Sequence, residues 1–165
     1  MTRLIRTTAL AFLAIMAAPL CLAAPSDARD WANLAGDLRN MARDIQANAD
    51  ANPALDAQLP APLRMGLQRF GVASSQLSTE MKTYDGAKDL VCIFRGMSEE
   101  TGKQLTSLND ARTGADQSDA LTRLVMMLDD ATQVGEAAAR VMETADRIEP
   151  VDGGLTGKCE AVPFR

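Results

Sequence analysis

Apolar residues recur at alternating spacings of three and four along nearly the whole chain, the period of amphipathic α-helix. Trp31, Leu34, Leu38, Met41 and Ile45 set the first stripe. Ser26 precedes it as an N-cap, with Asp27 and Asp30 in the first turn, where acidic groups complement the helix dipole. Asn52-Pro53 ends this helix, because a residue before proline is pushed out of helical geometry. Residues 54–59 form a connector with room for one helical turn. Pro60 and Pro62 then open a second helix, proline being tolerated in a first turn. Its inward stripe is Leu63, Leu67, Phe70, Ser74, Leu77, Met81 and Tyr84, and Asp85-Gly86 is a turn signal.

A third helix is expected over about 87–112, with Leu90, Phe94, Met97, Thr101, Leu105 and Leu108 inward. Residues 113–117, around Gly114, read as the next turn, and Ser118 or Asp119 as the cap of a fourth helix. That helix should reach Glu149, where Pro150 stops it. Its stripe is Leu121, Leu124, Leu128, Ala131, Gly135, Ala138, Met142 and Ala145. A second row, Met127, Val134, Val141 and Ile148, widens the apolar face beyond a two-stranded seam. No segment alternates with the period of a strand, and no internal repeat or low-complexity linker divides the chain. Four amphipathic helices joined by short turns predict an all-α fold, an antiparallel up-down-up-down four-helix bundle. Residues 151–165, rich in glycine, form an irregular tail.

The first 23 residues break this pattern. Arg3 and Arg6 precede an apolar run over 9–22, and the small residues Ala23 and Ala24 follow. Charge, apolar run and small residues in that order make a secretory signal peptide. The run is shorter than the roughly 20 residues a membrane span needs. Cleavage is expected after Ala23, which keeps Pro25 away from the scissile bond. A lipoprotein would need Cys21 as the acylated first residue, and bulky Leu20 before it argues against that. The expected domains are therefore a signal peptide, 1–23, and one helical domain, 24–165, working in a bacterial periplasm without stable membrane insertion.

Cleavage leaves two cysteines, Cys92 and Cys159, and an even pair in an oxidising compartment predicts one disulfide. In an up-down-up-down bundle the third helix starts at the pole where the fourth ends. The tail can thus fold back over that pole and reach Cys92. Trp31, Tyr84 and Phe94 are expected near the same pole, with Phe164 in the tail.

Composition removes function classes. The mature chain keeps 15 basic against 22 acidic residues, a net charge of −7. Such a chain gains nothing from neutralising phosphates, which speaks against nucleic acid and against an anionic membrane surface. The chain has no histidine, the commonest metal ligand and the commonest neutral-pH base. Serines therefore lack their usual partner, and the disulfide would consume the thiols. Glu99-Glu100 and Asp129-Asp130 are sequence neighbours that diverge around a helix. The methionines select Cu(I) in principle. No two of them stand three or four apart, so core filling explains them. No metal, haem or other cofactor is expected, and no catalysis.

Two features rise above this background. Small residues gather halfway along three helices: Gly71, Ala73, Ser74 and Ser75, then Ser98, Thr101 and Gly102, then Ala131, Gly135 and Ala138. An interior glycine costs about 1 kcal/mol against alanine, so the band needs a reason. Close helix approach is the favoured one. The alternative is a cavity for a small apolar ligand, walled by Gly71, Ser74, Gly135 and Ala138. The second feature is an oxygen-bearing row on the first helix, Asp30, Asn33, Asp37, Asn40 and Asp44. A straight helix spreads these too widely for the converging oxygens of calcium. A solvated face pairing with Arg64 or Arg69 is the plainer expectation, and Asp30, Asp37 and Asp44 are the candidate face for a basic protein partner.

Together these features predict an exported, non-enzymatic helical protein that acts by binding an unidentified protein, as an adaptor, inhibitor, immunity-type or chaperone-like factor. The alternative is a carrier of a small apolar ligand in the bundle middle. A carboxylate-based enzyme acting on cell-wall polymers is the weakest reading.

Overall fold

The computed structural model describes residues 27–149 and Cys159. Four helices make up the described chain: α1 (Ala28–Ala51), α2 (Ala61–Glu80), α3 (Lys88–Asp110) and α4 (Gly114–Thr144). Consecutive helices run antiparallel, and a 3₁₀ turn, Met81–Thr83, extends α2. The bundle is therefore the expected up-down-up-down one, with α1 packed most closely on α4 and α2 on α3. Among the described residues, no helix is long and apolar enough to cross a membrane.

The helix ends differ from expectation in instructive ways. Asp27, rather than Ser26, caps α1, its carboxylate accepting from the Arg29 backbone N–H at 2.7 Å. Residues 54–59 form no helical turn. They lie across the start of α4 instead, where Leu55 and Pro53 carbonyls accept from the Gly114 and Ala115 N–H groups at 2.8 and 3.0 Å. Those are donors that a helix N-terminus leaves without intrahelical partners. With them satisfied, α4 starts at Gly114 and not after Ser118 or Asp119. Thr113 is its cap, in a reciprocal capping box with Asp116. Gly114 is buried, and a Cβ there would collide with the Asn52 carbonyl oxygen and lie 3.0 Å from that of Ala49.

At the opposite pole α4 ends at Thr144, short of Glu149. The chain beyond it is drawn out alongside the α2–α3 turn. Ile148 N–H donates to the Thr83 carbonyl at 2.9 Å, and Asp85 N–H to that of Asp146 at 3.1 Å. Arg147 lies 5.0 Å from the Tyr84 ring centroid and donates to its hydroxyl at 2.7 Å. Gly86 takes a positive φ of 73° in this turn, which glycine adopts without strain. The Cys92–Cys159 disulfide is formed, with Cα atoms 5.5 Å apart, tying the tail to the start of α3. Apart from Cys159, the expected irregular tail lies outside the described residues, as do the signal peptide and Phe164.

Core positions follow the stripes on α2 and α4. On α2 and its extension all seven predicted positions are buried. On α3, Val91 and Gln104 turn inward while Leu90 and Leu105 sit at the edge. The larger departure is on α1. Ala28, Ala35, Ala42 and Ala49, seven residues apart, are buried, whereas Leu34, Met41 and Ile45 are only half-buried. Small side chains let the α1 and α4 backbones approach, which places the alanines at the centre of the contact and the larger residues at its rim. Ile148, assigned to the second row of α4, is exposed instead, because it lies beyond the helix end.

Candidate functional site

The small-residue band resolves into two unlike regions, one filled and one open. The filled region is a socket for Trp31. Its ring stacks on Phe70 with centroids 4.7 Å apart and meets Phe94 edge-on at 4.9 Å. The indole N–H donates to Ser74 Oγ at 2.9 Å, and that hydroxyl donates to the Phe70 carbonyl at 2.8 Å. Gly135 gives the socket its floor. A Cβ there would lie 3.0 Å from Trp31 Cε3, 2.6 Å from the Ala32 Cβ and 2.8 Å from the Ala28 carbonyl oxygen. Ala138 is buried on the same face of α4. Of the candidate cavity residues, Ser74 and Gly135 are thus drawn together by the indole, which takes the space between them. Trp31, in the first turn of α1, lies toward the disulfide pole beside Phe94, two residues from Cys92, and there points into the core, where it finds both aromatic faces and an acceptor for its N–H.

Gly71 belongs to the open region, a groove of about 820 Å³ between the outer faces of α2 and α3. Ser98 Oγ donates across it to the Gly71 carbonyl at 2.8 Å and holds the two helices together. Thr101 bonds back to the Met97 carbonyl at 2.6 Å and turns its methyl toward Gly71. A methyl added at Gly71 would find ordinary contact at 3.5 Å, and one at Gly102 would meet nothing within 4 Å. Neither glycine is therefore demanded by packing within the chain, although each costs about 1 kcal/mol of helix propensity. Their effect is to keep the groove floor low.

The wall on the α2 side is unusual for this acidic protein. From Met65 to Thr79 the exposed positions of α2 are Met65, Gln68, Val72, Ser75, Gln76 and Thr79, none of them charged. Met65 is 58% and Val72 54% exposed, two of the five large apolar residues that stand in solvent among the described residues. They lie seven apart, two helical turns, on one face. Sequence reasoning passed over this stripe because it is not a core stripe. Its signal was the absence of charge on the outer side of α2.

The acidic row on α1 is placed where the spacing put it. Asp30, Asp37 and Asp44 are all exposed. Ion pairs on α1 are made by its arginines and cross to α4: Arg39 and Arg43 both reach Asp129 at 2.8 Å, and Arg29 reaches Glu143 at 2.6 Å. No ion pair joins the row to Arg64 among the described residues. Two carboxylates elsewhere are held below their ordinary range. Asp116 is lowered by hydrogen bonds from the Thr113 hydroxyl and from the Thr113 and Arg112 backbone N–H groups. Glu100 is lowered chiefly by the Gln104 amide, with Lys103 beside it. Both are stabilised anions rather than acids poised to donate a proton. Among the described residues no three histidine, cysteine or acidic side chains converge as a metal site would require.

No protein-family description, curated protein or solved structure matches this chain.

Proposed function

We propose that this protein is exported to the periplasm and acts there, without catalysis, by binding another protein through the α2–α3 groove. The observation that carries this reading is the uncharged exposed stripe bearing Met65 and Val72 beside a groove floored by Gly71 and Gly102. Exposed apolar side chains gathered along a concavity, rather than scattered singly, are the usual mark of a contact surface. The disulfide fits an oxidising compartment. The groove takes the place of the acidic row as the contact surface, because burying it releases apolar area from water, whereas burying Asp30, Asp37 and Asp44 would require a matched cation for each.

A photo-crosslinking side chain installed at Val72, and separately at Asp37, tests the reading in living cells. Adducts from position 72 and none from position 37 are expected. Adducts from position 37 alone would move the function to α1, and no adduct from either would overturn protein binding through both surfaces. Fractionation of the same cells by osmotic shock, followed by intact mass, checks the address, with a mature start at Ala24 as the expected result.

A further inference from the structure

We infer that residues 145–149 form a strap over Tyr84 that the Cys92–Cys159 bond latches shut, and that a dithiol reductant opens it without unfolding the bundle. The strap leaves the end of α4 and meets the α2–α3 turn in a single antiparallel bridge between Tyr84 and Arg147. Two backbone hydrogen bonds join it to the turn among the described residues. Ile148 N–H donates to the Thr83 carbonyl at 2.9 Å, and Asp85 N–H to that of Asp146 at 3.1 Å. Arg147 adds its side chain, donating to the Tyr84 hydroxyl at 2.7 Å and lying 3.8 Å from Glu80. Tyr84 is 4% exposed with the strap in place.

These contacts do not suffice to hold the strap. Fixing the backbone of one residue costs about as much free energy as one net hydrogen bond returns. Asp146, Arg147, Ile148 and Glu149 are all exposed, so no buried apolar side chain of theirs makes up the difference. An ion pair whose arginine is 70% exposed adds little. The opposite pole shows what closure without a covalent bond takes. There the α1–α2 connector packs Leu59 against the core. Its carbonyls at Pro53, Leu55 and Gln58 accept from Ala115, Gly114 and the Gln117 amide, and Ala57 N–H donates to the Arg112 carbonyl. The disulfide stands at the pole that lacks such an anchor. Cys159 follows Glu149 by ten residues and is bonded to Cys92 in the first turns of α3, so the strap is held between the end of α4 and the bond. That tether removes much of the freedom an open strap would gain, and reduction returns it.

Both cysteines are half-buried rather than sealed in the core, which leaves the bond open to exchange. A thiolate of the reductant attacks one sulfur to form a mixed disulfide, and the reductant's second thiol then closes its own disulfide. Two electrons and two protons pass to Cys92 and Cys159, which part as thiols. Opening withdraws Arg147 from Glu80, and Glu80 and Thr83 also line the α2–α3 groove. The redox state of the bond thus sets the charge at the pole end of that groove. The latch itself stands whether or not the protein-binding reading does.

Hydrogen exchange read by mass spectrometry tests the latch, on the mature chain oxidised and on the same chain reduced with dithiothreitol and blocked with iodoacetamide. In the oxidised chain the Asp85 and Ile148 amides should be protected. After reduction both should exchange about a hundredfold faster or more, while Gly114, Ala115 and the interiors of the four helices stay protected. Tyr84 is the single tyrosine, so nitration by tetranitromethane reports its cover directly and should quicken about tenfold. Cys92→Ser combined with Cys159→Ser should behave as the reduced chain does, which separates release of the strap from any effect of the blocking groups. Reduced, unblocked chain returned to oxidised glutathione should close again. Continued protection of Asp85 and Ile148 after reduction would overturn the inference. So would a strap already open in the oxidised chain, a loss of protection shared by all four helices, or a failure to reclose.

Discussion

A tryptophan placed four residues into a surface helix has to find room for a large ring and an acceptor for its N–H. Trp31 finds both because Ser74 and Gly135 are small at the level where its ring enters. The same geometry makes Gly135 a sensitive position. Gly135→Ala gains about 1 kcal/mol of helix propensity. It also drives a methyl against the Ala28 carbonyl oxygen, which is backbone and cannot rotate away. Overpacking of this kind costs about 1–3 kcal/mol. A net loss of stability is therefore expected, read from urea unfolding followed by the fluorescence of the single tryptophan. Trp31→Phe should lose about 2 kcal/mol through the vacated space and the lost N–H donor, read by circular dichroism. If Gly135→Ala stabilises the protein, the socket has slack that its contacts do not show.

At the scale of the helix, the start of α4 is fixed by reciprocal hydrogen bonds rather than by its first strong apolar residue. Thr113→Ala should remove about 1 kcal/mol by freeing the Asp116 N–H. Asp116 adds a pH dependence. Its carboxyl is held below the ordinary value of about 4 in the folded chain, so the stabilisation it gives is fully present above that value. It is lost as pH falls through the lowered one. Asp116→Asn should therefore be less stable than the parent at neutral pH, and the gap between their urea midpoints should narrow at acid pH. A gap that stays constant would mean that the carboxylate charge contributes nothing to the cap. The helix faces themselves were legible because burial repeats with the helical period. The cap at Thr113 was also written locally, as Thr113 with an acid three residues on, but Gly114 beside it reads as a turn, and the Leu55 and Pro53 carbonyls that take the Gly114 and Ala115 donors are far away in sequence.

For the whole molecule, the two poles are closed by different means. The α1–α2 connector covers one with hydrogen bonds, while residues 145–149 and the disulfide close the other. Cys92 and Cys159 enclose a loop of 67 residues, worth about 4 kcal/mol in the chain-entropy account. Replacing both with serine should lower stability by a few kcal/mol while leaving helix content largely intact, because the apolar core is elsewhere. Loss of the helical signal itself would show that the tail organises the bundle rather than tethering it. In contrast, Asp30→Asn, Asp37→Asn and Asp44→Asn combined should leave both the unfolding midpoint and the adducts at position 72 nearly unchanged, since isolated exposed charges contribute little. A large loss of adducts would return function to the acidic face.

The number of helices, their approximate limits, the buried stripe of α2 and the pairing of Cys92 with Cys159 were all written in the sequence. Each depends on local periodicity or on counting, and a local repeat of 3.6 residues survives whatever the helix packs against. Tertiary structure decided the rest. It chose the alanines Ala28, Ala35, Ala42 and Ala49 over Leu34 and Met41 for the centre of the α1–α4 contact. It filled one part of the small-residue band with Trp31 and left another open beside Val72. Those outcomes turn on how closely two backbones approach, and that distance is set jointly by residues on different helices, so no single stretch of the chain contains it.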